Sequence, residues 1–327
     1  MLRKVTFWPL RQILCCFVAV IPIIFFSPSL LATGLDHSHD HVFSYHCDDK
    51  YEHCMASIKA KRESATSVGE KQRLQLEQAI LEVIFGRHEL AEQLLAPLAD
   101  SVHLSVMERM EVAIHRAKNM FQLGDIEQAR LLGLAAEKLI SGVARETLDW
   151  HLMVEYGTIL LYIGKHRESW NVLSTLLNRS KEGVSDRVLG DFYGILGHLA
   201  MEMQRNQLML EYLRQAHFYT VKLGSDQQDG ISAHNLARAY VINMDYRRAQ
   251  QMYRRSIKSS IKAGDESNVV YTRYHLVKMN VEMGHFRIAK RLFDNLMASD
   301  YSINATVTDE KLEILLKRIN NGLYRDY

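Results

Sequence analysis

Proline is scarce in this chain. Only four of its 327 residues are proline, and three of these, Pro9, Pro22 and Pro28, lie at the N-terminus, which leaves only Pro97 for the rest of the chain. Proline normally makes up about 5% of a protein, and chains with many turns and loops contain it throughout. The scarcity therefore predicts an almost entirely helical body, and the hydrophobic content of 47% excludes disorder along the whole chain.

Acidic residues are absent from the first 34 positions. Arg3, Lys4 and Arg11 precede an apolar run over 13–26, and small residues follow at 32–34. This order is typical of a secretory signal. We expect residues 1–34 to form a signal peptide cleaved before Leu35, or alternatively an uncleaved N-terminal anchor. Either outcome places the body outside the cytoplasm, most simply in a periplasm, the alternative being an inner-membrane anchor that faces it.

Cysteine is also scarce, and only Cys47 and Cys54 follow the proposed signal. In an oxidising compartment an even count favours a disulfide. Seven residues along one helix rise by about 10.5 Å, beyond the reach of a disulfide, so pairing requires the chain between the two residues to bend back. The alternative is one continuous helix with two free thiols.

The histidines of residues 35–69 form the one dense cluster of metal-binding side chains. His37, His39 and His41 alternate with Asp36 and Asp40, a composition that suits Zn²⁺, Cu²⁺ or Ni²⁺. We expect weak metal binding at most, because a solvated, partly flexible leader explains the same composition. No other cofactor is indicated.

A forty-residue repeat organises the rest of the chain. Turn residues recur at positions 86, 124, 164, 204, 244 and 284, each followed five positions later by a residue that opens a new apolar helix. In most units, the residue seven positions before the turn is small, as close helix packing requires. In most units, the residue nine positions after the turn is large and apolar, and it is expected to fill the next interface. Each unit is thus predicted to be two amphipathic helices around a tight turn.

The positions of the turn residues and small residues resemble those of the tetratricopeptide repeat (TPR) family. The segments 235–240 and 245–249 also resemble sequences of that family. The resemblance implies an all-α, right-handed solenoid of six helix-turn-helix repeats over residues 70–308, with a capping helix and tail at 309–327. The period of 40 is longer than the family's usual 34, and the family's late proline is missing. Gln204, Met209 and Val277 depart from the turn and small-residue pattern, so altered packing is expected there.

Motifs of catalysis are missing. The sequence contains no glycine-rich phosphate loop, nucleophile elbow or paired metalloprotease histidines. We therefore expect a protein without enzymatic activity. Removing residues 1–34 also changes the net charge from +2 to −1, so no overall basic field attracts nucleic acid.

The forty-residue stride also predicts a binding groove. The resemblance implies that, in the first helix of each unit, the position after the small residue faces a concave surface. The polar and cationic residues at this position form a ladder, and they are Lys118, Thr158, His198, Arg238 and Lys278. His234 and Tyr274 lie one turn earlier on the same face. Such a groove suits an acidic peptide or a peptide C-terminus, which Arg238 would grip through two hydrogen bonds. Alternatively, these residues only solvate an exposed face.

Basic residues are concentrated late in the chain, where residues 245–291 hold eleven basic and four acidic side chains. A solvated helix face is the usual meaning of such a run, and an acidic protein or a membrane surface is the alternative partner. The leading hypothesis for function is an exported scaffold that binds a protein or peptide. The alternatives are an exported sensory module acting on a separate membrane signalling protein, and a metal-binding protein that uses the histidine cluster.

Overall fold

The computed structural model describes residues 51–85, 87–147, 149–298 and 307–323. The proposed signal or anchor, the three clustered histidines and Cys47 lie outside these ranges, so those predictions are not addressed by the structure. Among the described residues, no helix combines the length and the apolar character that crossing a membrane would require.

Helices make up nearly all of the described chain, which contains no strand. The α-helices are α1 (Tyr51–Ser64), α2 (Val68–Ile84), α3 (His88–Leu95), α4 (Val106–Leu123), α5 (Ile126–Thr147), α6 (Trp150–Tyr162), α7 (His166–Leu177), α8 (Asp186–Glu202), α9 (Asn206–Lys222), α10 (Asp226–Ile242), α11 (Tyr246–Ala263), α12 (Glu266–Glu282), α13 (Phe286–Met297) and α14 (Asp309–Leu323). Helices α2 to α13 form six successive pairs. The predicted all-α helical-repeat solenoid is confirmed. We call the even-numbered helices α2 to α12 first helices, and the odd-numbered helices α3 to α13 second helices.

Five of the six predicted turn residues adopt left-handed backbone conformations. The φ angles are 83° at Gly124, 81° at Gly164 and 73° at Gly284, and the two non-glycine members, Gln204 and Met244, have 56° and 59°. The sixth, Gly86, lies outside the described residues. The expectation of altered packing in the fourth unit is wrong for the turn itself, because Gln204 accepts the conformation that glycine adopts elsewhere, at a cost of about 1 kcal/mol.

Small residues lie where first and second helices cross. A Cβ atom on Gly157 would stand 2.6 Å from Leu173, and one on Gly197 would stand 2.6 Å from Leu213. The large residue therefore fills the crossing within its own unit, and the expectation that it fills the next interface is wrong in these pairs. Val277 is fully buried at the equivalent position of α12.

Both ends of the repeat array are covered by a further helix. Helix α1 places Ile58 and Cys54 against Leu81 of α2. Cys47 lies outside the described ranges, so the pairing of Cys54 with Cys47 stays a prediction. Helix α14 buries Leu312 and Ile319 in the core of the last unit. The two added helices thus shield the apolar faces that a repeat array would otherwise expose at its ends.

Candidate functional site

The first helices form one layer of the solenoid and the second helices form another. Helix α2 contacts α4, α4 contacts α6, α6 contacts α8, and α10 contacts α12. The second helices α3 to α11 each pack against the first helices before and after them, and α13 packs against α12 and α14. The predicted groove residues therefore all lie in the first-helix layer, on α4, α6, α8, α10 and α12. We call the surface of this layer that carries them the inner face.

Lys118 of α4 is held by an acid on the next first helix. Its Nζ donates to Oε2 of Glu155 at 2.6 Å, and the two side chains are 19% and 14% exposed. Burial favours a neutral lysine, but Glu155 outweighs burial, and the pKa of Lys118 is raised. Burial likewise favours a neutral Glu155, but Lys118, His151 and His115 lower its pKa to about 2. The charge of Lys118 is thus neutralised within the protein.

Two more carboxyl groups accompany this ion pair. Glu111 lies seven residues before Lys118 and is buried; burial, followed by the charges of Glu155 and Glu108, raises its pKa to about 9. Asp191 of α8 is exposed, yet desolvation by the surrounding protein raises its pKa despite the opposing effect of Arg187. Asp191 is therefore a surface carboxyl whose surroundings favour its neutral form, and Glu155 and Lys118 are among the charged groups that act on it.

Three imidazoles follow on α8, α10 and α12. Burial and then the charge of Arg238 lower the pKa of His198 to about 4 and that of His275 to about 3. The pKa of His234 is lowered well below its usual value by burial and by the neighbouring His275 and Arg238. All three rings are therefore neutral near pH 7 and carry no part of the predicted positive charge.

His234 is bonded on one side only. Its Nδ1 lies 2.9 Å from Oγ1 of Thr272, and its ring centroid is 4.7 Å from Tyr271 and 5.2 Å from His275. Its Nε2 is buried, and no described residue forms a hydrogen bond with it. The side chain is 2% exposed, so it supports the inner face from below and does not line it.

Arg238 and Lys278 carry the remaining positive charge of the predicted ladder. Arg238 is half-buried and, among the described residues, forms no ion pair; its Nη2 approaches the sulfur of Met201 at 3.6 Å. It shares a narrow crevice between α8, α9 and α10 with His198 and Asn235. Lys278 lies 4.0 Å from Glu282 one turn later on its own helix, and both side chains are more than one third exposed, which makes this a weak pair.

The last two predicted residues differ in availability. The hydroxyl of Thr158 donates to the carbonyl of Val154 at 2.8 Å, and the residue is 7% exposed. Its polar group is thus used within α6. Tyr274 is half-buried with its ring 5.4 Å from that of His275, and burial raises its pKa, so its hydroxyl is protonated at neutral pH and can donate.

Gly194 leaves an opening in the inner face. It lies three residues after Asp191 and four before His198, on the same side of α8. In the part of the chain that the structure describes, a Cβ atom built on Gly194 would meet no atom within 4 Å, in contrast to the crowded glycines at the helix crossings. Packing therefore does not require a glycine here, although glycine costs about 0.5–1 kcal/mol inside a helix relative to alanine.

This chain resembles known proteins in its fold and not in its sequence. No family model matches the sequence, and no curated protein matches it either. A solved structure of a Rap protein complexed with Competence and Sporulation Factor is 12% identical, with a TM-score of 0.55 over 84% of this chain and 80% of that chain. The chain has a TPR-like helical-repeat fold. The apo form of RapI matches at 14% identity and a TM-score of 0.45, over 84% and 85% of the two chains. A signal-transduction ATPase with a TPR sensor from Pyrococcus horikoshii matches at 14% identity and a TM-score of 0.48, over 84% of this chain and 44% of that chain.

Sequence reasoning missed three residues of the inner face: Glu155, Asp191 and Gly194. The same stride would have found two of them, since Glu111, His151 and Asp191 stand forty residues apart. His115 and Glu155 also stand forty residues apart, and His275 lies three strides after Glu155. Within the described ranges, no group of three or more His, Cys, Asp or Glu side chains is arranged to hold a metal ion.

Proposed function

We propose that this protein is a non-enzymatic scaffold that binds a peptide or an extended protein segment along its inner face. The observation that carries the proposal is the pair of cations Arg238 and Lys278 in equivalent positions of α10 and α12, in the same layer as the exposed Asp191 and the uncrowded Gly194 of α8. Arg238 has no carboxylate partner among the described residues, so an incoming acid meets a guanidinium without first breaking an internal ion pair.

The acidic group of the ligand belongs at the α10–α12 end of the inner face. The imidazoles of His198 and His275 are neutral and supply hydrogen bonds without competing charge, while Arg238 offers a forked donor that suits a carboxylate. At the α4 end the charge of Lys118 is neutralised by Glu155, so this end does not add to the attraction. The proposed ligand is therefore acidic at one end and not along its whole length.

The opposite end of the ligand belongs beside Asp191. Its exposed carboxylate can accept a hydrogen bond from an amino group or a basic side chain. Neighbouring first helices lie about 10 Å apart, so α8 and α12 are separated by roughly 20 Å, which an extended chain spans with about six residues. Gly194 lies on this path and admits a ligand backbone close to α8.

Fluorescent hexapeptides that begin with lysine and end in a free carboxylate test the proposal by anisotropy. We expect Arg238→Gln with Lys278→Gln to weaken binding by 10-fold or more, because each charge-assisted hydrogen bond contributes about 1.5–3 kcal/mol. Amidating the C-terminus should weaken binding of the unmodified protein similarly. The matched control is Arg130→Gln with Arg167→Gln, two exposed cations on second helices. Equal binding by both double variants would contradict the proposal.

We also propose, from the sequence, that the protein is exported and acts outside the cytoplasm. Mass measurement of the protein from its native membrane fraction distinguishes cleavage before Leu35 from an uncleaved anchor. Titration with Zn²⁺ or Cu²⁺, with and without residues 35–46, tests the clustered histidines. The sensory alternative predicts crosslinking to one membrane signalling protein in cells.

A further inference from the structure

The outer surface of α11 carries a stripe that the inner face does not use. Arg247, Arg254, Lys258 and Ile261 are all exposed, and their spacings of seven, four and three residues place them within about 40° of one line along the helix. Ile261 is 50% exposed despite its size. We call these four residues the α11 stripe.

Internal ion pairs account for the other cations of α11 but not for those of the stripe. Arg248 is 3.1 Å from Asp245, Arg255 is 2.9 Å from Asp229, and Lys262 is 3.3 Å from Asp226. Among the described residues, the three cations of the stripe have neither an ion pair nor a side-chain hydrogen bond. They are therefore the part of the basic run that is available to an external anion.

The neighbouring second helices extend the surface in both charge and apolar character. On α13, the exposed Arg287 lies forty residues after Arg247, in the same repeat position. On α9, Phe218 and Val221 occupy the repeat positions of Lys258 and Ile261, and they are 55% and 40% exposed. Large apolar side chains thus lie beside the cations at one end of the surface.

We propose that the α11 stripe docks the protein onto an anionic lipid bilayer. Exposed side chains in one line along a helix offer little shape for a folded partner to fit, whereas a bilayer presents a continuous sheet of negative charge that needs no complementary shape. Ile261, Phe218 and Val221 can then enter the boundary between headgroups and acyl chains. The whole protein has a net charge of only +2, so the attraction is local to this surface.

Vesicle sedimentation of the full-length chain tests this inference. Vesicles contain phosphatidylcholine alone or with 30% phosphatidylglycerol, and the readout is the gain in affinity that the anionic lipid gives. The N-terminal segment, with its apolar run and Arg3, Lys4 and Arg11, is the same in every variant, so its contribution cancels when the variants are compared. We expect Arg247→Glu, Arg254→Glu and Lys258→Glu together to remove a gain on the order of 100-fold, at about 1 kcal/mol per cation, and salt at 0.5 M to remove it from the unmodified protein.

The matched control reverses Arg130, Lys138 and Arg167, three exposed cations on α5 and α7, and changes the net charge equally. This control should keep the lipid-dependent gain. Equal losses in the two triple variants would overturn the inference, since net charge alone would then explain binding. Stripe-dependent binding to poly-glutamate or DNA without any gain on anionic vesicles would also overturn it, in favour of a macromolecular polyanion. Circular dichroism confirms that each variant remains helical.

Discussion

Replacing Gly194 by alanine separates a functional explanation of this residue from a structural one. Gly194 lies inside α8, and a Cβ atom there would meet no atom within 4 Å. The substitution therefore adds no clash and removes the conformational freedom that glycine gives the unfolded chain. We expect Gly194→Ala to stabilise the protein, although most substitutions destabilise.

The expected gain follows from helix propensity alone. Alanine is favoured over glycine by about 0.5–1 kcal/mol at an interior helix position, and the absence of neighbours means that no packing energy changes. For a chain of this size that corresponds to an increase in Tm of about 1–4 °C. Denaturant unfolding, followed by circular dichroism with all variants at one protein concentration, measures the change through the transition midpoint.

Gly197, three residues later on the same helix, provides a matched control. It also lies inside α8, but its Cβ atom would stand 2.6 Å from Leu213. Gly197→Ala should therefore destabilise by about 1–3 kcal/mol through overpacking. The two changes thus have opposite predicted signs. A loss of stability in Gly194→Ala would refute the inference that this part of the inner face is open.

Ligand binding completes the test. If a peptide backbone approaches α8 at Gly194, the added methyl group should weaken binding of the hexapeptide probe while it stabilises the protein. If Gly194 has no contact with the ligand, the affinity should stay the same and only the stability should rise. The stability result and the binding result are thus independent, and unchanged affinity would remove Gly194 from the proposed ligand path without affecting Arg238.

Three further predictions concern backbone strain and buried charge. Met244→Gly should stabilise by about 0.5–1 kcal/mol, because it relieves a left-handed φ of 59° at an exposed residue, whereas Met244→Ala keeps the Cβ atom and should show no such gain in denaturant unfolding. The pKa of Glu111 is raised from 4.5 to about 9 in the folded protein, so as the pH rises Glu111 loses its proton in the unfolded protein before it does so in the folded protein. The free energy of unfolding should therefore fall between about pH 5 and 8 by up to 1.4 kcal/mol per pH unit, and Glu111→Gln should reduce that slope. Lys118→Met should destabilise by about 3–5 kcal/mol at pH 7 by leaving Glu155 mostly buried and unpaired, and the loss should be smaller in the double variant with Glu155→Gln.

The helical solenoid was predictable because its determinants are local and recur at a fixed spacing. A left-handed turn needs glycine or a tolerated substitute, and a close crossing needs a small residue, so both leave a mark at a definite position. Gln204 and Met244 show the limit of that logic. The surrounding helices impose the same left-handed turn on residue types that rarely adopt it. The forty-residue spacing located these two turn positions, whereas residue type alone would not have done so.

The candidate site was only partly predictable because its electrostatics depend on pairs of helices. The stride placed Lys118 and Arg238 in equivalent positions, and from the sequence they look alike. Lys118 is neutralised because α6 carries Glu155 opposite it, whereas among the described residues Arg238 has no acid opposite it. The neighbouring unit decides which of two equivalent cations stays available for a ligand. Comparing equivalent positions along the repeat does not show this difference.

The two proposed binding surfaces can function together because the solenoid separates them physically. Arg238 lies on a first helix and Arg254 lies on the following second helix, so the two cations belong to different layers. Each faces a surface that the other does not reach. Tyr253 and Ala237, two buried side chains near these cations, are uncharged. A charge changed on one surface therefore leaves the packing of the other intact. Docking on a bilayer through the α11 stripe would leave the inner face, with its Gly194 opening, accessible to a peptide.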